Sequence, residues 1–240
     1  MTVATDNLVE SEKSWIITPI LLPEQYSYKC EKAVLLSWPV SKGYLAAKRV
    51  MDVILAGLCM LVFLPLMMIV GLLIKLTSRG PILFKQQRAG KWGDPFTIYK
   101  FRTMISTQSK EIFYSGANGR NGPVFKLKND PRITWIGRWL RRTSIDELPQ
   151  LFNILRGEMT LVGPRPLPLD QVRLDSIEER TRLSVKPGLT GLWQVSGRAD
   201  VPYEEWVEMD SYYVQHRNFW MDVLILARTI PAVLSCRGAY

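Results

Sequence analysis

From Val53 to Ile74 the chain carries no charged side chain over 22 residues, and this run limits the possible folds more than any other feature. About 20 apolar residues in a helix, rising about 1.5 Å each, match the hydrocarbon thickness of a bilayer. A core helix of a soluble protein seldom runs so long without a polar face. Pro65 sits mid-run and removes a backbone hydrogen bond, so a kink is expected there. Lys48 and Arg49 precede the run, and Lys75, Arg79, Lys85 and Arg88 follow it. Positive residues favour the cytosolic side of a membrane, so both ends ask for the same side. A helix bent at Pro65 that enters and leaves one leaflet satisfies both ends.

The net charge of +9 is unevenly spread. Residues 1–47 hold five acids and four bases, leaving 27 bases against 17 acids from residue 48 onward. A basic domain beside a membrane points to anionic head groups, phosphates or nucleic acid as partners. Cys30, Cys59 and Cys236 are far apart and show no metal-ligand spacing. They make no disulfide framework, which suits a reducing cytosolic compartment. With His216 as the single histidine, a histidine-centred triad or histidine-rich metal site is not expected; His216 reads as an ordinary surface or half-buried residue.

Residues 1–47 lack a clear period and read as a loosely ordered arm, with a short strand near Ala33–Leu36 and no signal-peptide pattern. The membrane helix is assigned to 48–79 and a polar domain to 80–240. Ile82–Phe84 and Phe96–Phe101 flank a Gly-rich turn at 90–95, the pattern of a β-hairpin. Residues 106–130 read as a loop. Helical patterns return at about 133–142, 146–156, 169–183, 202–216 and 219–235. The predicted fold is α+β, mostly helical with a small β-hairpin or sheet. The aromatics Trp206, Tyr212, Tyr213, Phe219 and Trp220 suit a membrane interface or a core equally.

Three stretches offer chemistry. In Tyr99–Met104, Lys100 and Arg102 would share one face of a strand, and that face could meet a phosphate. In Arg141–Leu151, the adjacent carboxylates Asp146 and Glu147 open a helix just after two arginines. Capping explains this locally: Ser144 and Glu147 match a capping box, and Asp146 is a competent N-cap. Catalysis explains it equally. An ionised Asp could attack phosphorus, and a neighbouring Glu could hold a divalent cation on phosphate oxygens. The third stretch places Arg165 between Pro164 and Pro166, then runs from Lys186 through a Gly-rich segment to Arg198. Proline on both sides aims one guanidinium at little entropic cost. Carboxylates amid the cations would weaken binding to nucleic acid, so no nucleic-acid partner is expected.

These motifs, from Lys48-Arg49 and Asp52 through Lys100–Met104, Ser144–Leu151, Gly163–Pro166 and Lys186–Arg198, resemble the bacterial sugar transferases, the monotopic polyprenyl-phosphate phosphoglycosyl transferases. The similarity runs in order from about Lys48 to Tyr240, and Val233–Tyr240 resembles the subgroup that moves galactose or glucose 1-phosphate in exopolysaccharide and O-antigen pathways. The resemblance implies transfer of hexose 1-phosphate from a UDP-sugar to undecaprenyl phosphate, with release of UMP and with Mg2+. It implies Asp146 as nucleophile of a covalent phosphosugar intermediate, and Glu147 in metal binding and proton handling. Asp146 and Glu147 are thus the implied metal residues. Lys100, Arg141, Arg165 and Arg198 are implied to bind donor and acceptor phosphates. It further implies a bacterial inner-membrane location with the catalytic domain on the cytosolic face, in contact with lipid; a homodimer stays open as an alternative to a monomer. Small relatives often carry serine before the helix-breaking proline, where this chain has Leu64. Many relatives with hexose specificity have extra spanning helices upstream, so this chain reads as a minimal form.

Overall fold

A computed structural model describes residues 16–18, 35–105, 130–174, 176–197 and 201–235. The fold class is as expected: mostly helical, with three two-stranded sheets among the described residues. Strands β1 (Ile16–Thr18) and β2 (Leu35–Ser37) pair antiparallel, so a strand does form beside the one expected at 33–36. Helix α1 spans Lys42–Thr77, capped by Ser41, whose Oγ accepts from the Tyr44 amide at 3.1 Å. Residues 42–47 therefore belong to the helix and not to the arm.

Among the described residues, α1 is the one helix long and apolar enough to cross a membrane. Both its ends are fastened to the same polar domain. Near its start, Lys48 Nζ donates to Asp222 at 2.8 Å and to the Val162 carbonyl at 2.9 Å. Arg49 donates to the Ile154 and Leu155 carbonyls, and buried Asp52 accepts from Thr160 Oγ1 at 2.7 Å and the Leu161 amide at 2.9 Å. Near its end, Val70 and Ile74 pack on Phe101, Ile136 and Leu140. Between these docks, Leu61, Val62, Phe63, Leu64 and Pro65 are all exposed. Five consecutive residues pass right round a helix of 3.6 residues per turn, so the apolar middle of α1 stands clear of the protein on every side. The helical assignment continues through Pro65.

The hairpin joins β3 (Leu83–Ala89) to β4 (Pro95–Phe101) antiparallel, with Phe84 opposite Lys100. Strand β3 is longer than its sequence signal, because polar Lys85–Arg88 hides the alternation. Buried Asn153 acts as a substitute neighbouring strand for β4. It accepts from the Tyr99 amide and donates to the Thr97 carbonyl. Helix α2 (Trp135–Thr143) starts at Thr134, which caps the Gly137 amide at 2.9 Å. Then follow a 3-10 turn at Ile145–Glu147, α3 (Gln150–Arg156) and β5 (Thr160–Val162). The helix expected over 169–183 is broken into a 3-10 turn at Leu169–Gln171, α4 (Ile177–Thr181) and another 3-10 turn at Arg182–Ser184. Strand β6 (Gly188–Thr190) pairs parallel with β5, and α5 (Leu192–Ser196), α6 (Tyr203–His216) and α7 (Phe219–Leu234) complete the chain. Neither β5 nor β6 was expected; three residues are too few to show a period.

The two readings of the aromatics divide. Trp206 and Tyr213 are core, whereas Tyr212 and Trp220 are exposed, as are Trp135 and Trp139 of α2. His216 lies on the surface, stacked on Tyr212. A Cβ at Gly137 would fall 2.0 Å from the Thr103 carbonyl oxygen, so α2 lies directly on the backbone that leaves β4. Gly137→Ala should lower stability by about 3 kcal/mol, the upper end for overpacking, since backbone must move. Thermal unfolding in detergent checks this; an unchanged midpoint would contradict the close approach.

Candidate active site

The dyad sits where three elements converge. Helix α2 ends at Ser144 in the left-handed region, φ 59°, a conformation non-glycine residues rarely hold outside functional or tightly determined sites. The chain then turns sharply through Ile145–Glu147. Ser144 makes no side-chain cap on this turn, and α3 has Pro149 at its N-cap position. The capping explanation for Ser144, Asp146 and Glu147 is therefore removed: the carboxylates are held for something other than helix ends.

Glu147 gathers the cations. Lys100 Nζ from β4 donates to its Oε1 at 2.8 Å; Arg165 donates to Oε1 through Nη2 and to Oε2 through Nη1 at 3.3 Å. Burial opposes the charge on Glu147, but Arg165 and Lys100 outweigh it and hold the group well below the usual glutamate range. Asp146, 9% exposed, makes no hydrogen bond or ion pair among the described residues. Burial, with the Glu147 charge added, pushes its carboxyl up to about 6, against the pull of Lys100, Arg141 and Arg165. Adjacent carboxylates in one cationic pocket thus have opposite characters. One is a locked counter-ion, and the other is a carboxylate without a hydrogen-bonded partner among the described residues, ionised at neutral pH.

Arg165 is aimed by backbone. Gly163 and Gly188 lie back to back, where a Cβ at Gly188 would meet the Gly163 amide nitrogen at 2.1 Å. Arg88 donates to the Pro166 carbonyl at 2.9 Å, the Ala89 amide to the Leu167 carbonyl, and the Gly188 amide to the Pro164 carbonyl. Arg141 is held from the other side, its Nε donating to Thr103 Oγ1 at 2.9 Å. Lys100 and Arg165 thus pair with Glu147, and Arg141 lies close enough for its charge to act on Asp146.

Arg102 does not join them. Strand β4 ends at Phe101, so the alternation that would put Arg102 beside Lys100 stops there. Its guanidinium turns to the end of α1, donating to the Ser78 and Arg79 carbonyls at 2.8 Å and to Ser78 Oγ at 2.7 Å. Arg102 fastens the end of α1. Arg198 and the loop expected at 106–130, save Asp130, lie outside the described residues, and Pro65 lies in the exposed middle of α1. Sequence reasoning missed Arg88 and Thr103 as site residues, because polar Lys85–Arg88 hides the alternation of β3 and Thr103 lies past the end of β4.

Among the described residues no three His, Cys, Asp or Glu side chains gather as a metal site. Mg2+ commonly takes one or two carboxylates and completes its shell with water and substrate phosphates. Asp146 offers such a ligand openly, whereas Glu147 does so only when Lys100 or Arg165 moves onto a phosphate. The dyad fits Mg2+ together with a phosphorylated substrate.

The bacterial sugar transferase family profile matches residues 43–236, and the chain belongs to that family. It is 44% identical over 199 residues to the undecaprenyl-phosphate galactose phosphotransferase of Salmonella typhimurium, covering 80% of this chain and 41% of that one. It is 42% identical to the exopolysaccharide production protein ExoY of Rhizobium meliloti, over 81% of this chain and 88% of that protein. It is 42% identical to the UDP-glucose:undecaprenyl-phosphate glucose-1-phosphate transferase of Caulobacter vibrioides, over 80% and 72%. The chain thus spans about two fifths of the Salmonella relative's length.

The raised pKa of Asp146 has a stability consequence. Its folded value lies above the ordinary 3.8, so its favourable contribution is full below that value and is lost as pH rises through about 6. Asp146→Asn should therefore stabilise the protein at neutral pH, by at most about 3 kcal/mol, with the gain fading to nothing below about pH 4. Denaturant unfolding from pH 4 to 8 measures it; a pH-independent difference would contradict the buried, open carboxylate.

Proposed function

We propose that the chain transfers hexose 1-phosphate from UDP-galactose or UDP-glucose to undecaprenyl phosphate, releasing UMP, as the first membrane step of exopolysaccharide, O-antigen or capsule assembly. The observation that carries this reading is the free Asp146 carboxylate beside a Glu147 already paired with Lys100 and Arg165. Asp146 attacks the phosphorus that bears the sugar. A P–O bond to the aspartate forms as the P–O bond to UMP breaks, leaving an aspartyl phosphosugar. The lipid phosphate oxygen then attacks the same phosphorus and frees Asp146. Lys100, Arg141 and Arg165 offset the charge of the diphosphate and of the departing UMP, and Arg198 is proposed to join them. Mg2+ bound at Asp146 and Glu147 with the donor phosphates would neutralise further charge.

The names of the relatives support the donor and acceptor classes. Support for a re-entrant α1 comes from its two docks on one domain and the exposed apolar stretch between them. Pro65 leaves the Leu61 carbonyl without its helical donor, which favours a bend in that stretch. The middle of α1 would dip into the cytosolic leaflet of the inner membrane, with Trp135, Trp139 and Trp220 near the head groups, and the dyad would face the cytosolic donor.

Asp146→Asn should reduce UMP release from a UDP-hexose panel with undecaprenyl phosphate by at least about a thousandfold, while the protein stays folded. A fully active variant would sink the mechanism. A tag at the chain's N-terminus should be reached from the same side as the catalytic domain in protease-protection assays. A periplasmic tag with a cytosolic domain would restore the spanning alternative.

A further inference from the structure

Strand β4 is held along both edges, and one of them is held by a side chain. One edge pairs with β3. On the other, Asn153 of α3 accepts from the Tyr99 amide through Oδ1 at 3.2 Å and donates from Nδ2 to the Thr97 carbonyl at 2.7 Å. A residue of a parallel strand bonds in this way to the two residues that flank its neighbour. One amide thus replaces a third strand at Ile98. Its orientation is fixed as well, because Nδ2 also donates to Glu158 Oε2 at 2.6 Å. An ionised carboxylate can only accept, so the nitrogen end faces Glu158 and Thr97 and the oxygen end faces Tyr99. Asn153 is fully buried, with both Nδ2 hydrogens placed.

This clip lies between the two elements that make the Lys100–Glu147 pair. Alternation puts Phe96, Ile98 and Lys100 on one face of β4. Phe96 and Ile98 share an apolar cluster with Leu151 and Ile154, where β4 packs on α3. Glu147 precedes Leu151 by four residues and Ile154 by seven, and the backbone stays helical through Leu148 and Pro149. Those three side chains therefore lie on one side of the helical stretch, and Lys100 meets Glu147 one step along the strand from Ile98. Apolar packing is non-directional, and β3 fixes β4 only relative to itself. A slip of β4 by one residue would move Lys100 by about 3.3 Å and turn it to the other face. Its ammonium sits 2.8 Å from Glu147 Oε1. Among the described residues, the hydrogen bonds joining β4 to the chain from Ile145 to Arg156 are the two of Asn153 and that of Lys100. When a donor phosphate draws Lys100 away from Glu147, the Asn153 bonds remain.

We propose that Asn153 is a positioning residue for the transfer. It sets the register of β4 against the turn that carries the dyad, so that Lys100 passes between Glu147 and a donor phosphate without the strand slipping, and Glu158 orients it. The proposal rests on the phosphosugar-transfer reading and adds to it a residue that bonds to neither Lys100 nor the dyad.

A double-substitution cycle tests this, read by UMP release from a UDP-hexose with undecaprenyl phosphate. Asn153→Ala should lower kcat/KM about tenfold or more, as the loss of two backbone hydrogen bonds implies. In a Lys100→Gln background the same substitution should cost less than about twofold, because a residue that acts through Lys100 then has nothing to position. Equal losses in both backgrounds would overturn the proposal and make Asn153 a residue of the fold alone. Glu158→Ala removes only the outer partner and should show the same pattern with a loss of about threefold; it decides the question if Asn153→Ala does not fold. No loss from either substitution would also overturn the proposal. A second readout needs no turnover: acylation of Lys100 by a water-soluble amine reagent, mapped by mass spectrometry. Lys48 is the control, since its side chain is 13% exposed in its pair with Asp222, against 16% for Lys100. Asn153→Ala should speed labelling of Lys100 about threefold and leave Lys48 unchanged. An equal rise at Lys48 would mean general loosening and overturn the proposal. If wild type releases no UMP, the transfer reading fails alone, and Asn153 is judged on the labelling.

Discussion

The pairing of Glu147 with Lys100 and Arg165 is the contact on which the rest of the site depends. It joins β4, the 3-10 turn after α2, and the segment after β5 at one carboxylate. Two cations on one acid leave the site with net positive charge, yet the neighbouring Asp146 is kept from pairing with either. Burial without a partner is unfavourable for a carboxylate, and the fold accepts this at Asp146. Its charge is under-compensated by the surrounding cations, which is why burial lifts its carboxyl to about 6. The left-handed Ser144 immediately upstream makes the turn abrupt enough to put both acids into the pocket.

The long apolar helix α1 is part of the same framework. Lys48 and Asp52 bond the Val162 carbonyl, the Thr160 hydroxyl and the Leu161 amide of β5, three residues or fewer before the Gly163–Pro166 segment that aims Arg165. Arg49 satisfies the last carbonyls of α3, whose first turn follows the dyad. At the far end, Arg102 ties Ser78 and Arg79 to the residue after β4, the strand that carries Lys100. Each strand that supplies a cation to Glu147 is thus fastened to one end of α1.

Much of this was legible in the chain. The uncharged run gave α1 almost to the residue at its end, and 3.6-residue periodicity gave α2, α6 and α7. The dyad and three of its cations followed from motifs matched as a set, since capping accounted for Ser144, Asp146 and Glu147 equally well when read alone. What stayed hidden depends on contacts distant in sequence. Residues 169–183 show a helical pattern, but burial of Val172 and Leu174 and the Ser176 cap break it into pieces. The parallel β5–β6 pair is specified by Gly163 and Gly188 approaching each other, which no local period announces. Arg102 was misplaced because strand alternation was extended one residue past the strand.

The central claim is that Asp146 becomes covalently linked to the sugar phosphate while Glu147 does not. Incubating the protein with a UDP-hexose in the absence of lipid acceptor, quenching, and mapping the adduct by peptide mass spectrometry tests it directly. A hexose-phosphate increment on the peptide at Asp146, discharged on adding undecaprenyl phosphate, is the predicted result. An enzyme that turns over with both substrates but never carries the increment, or carries it on another residue, would contradict the account.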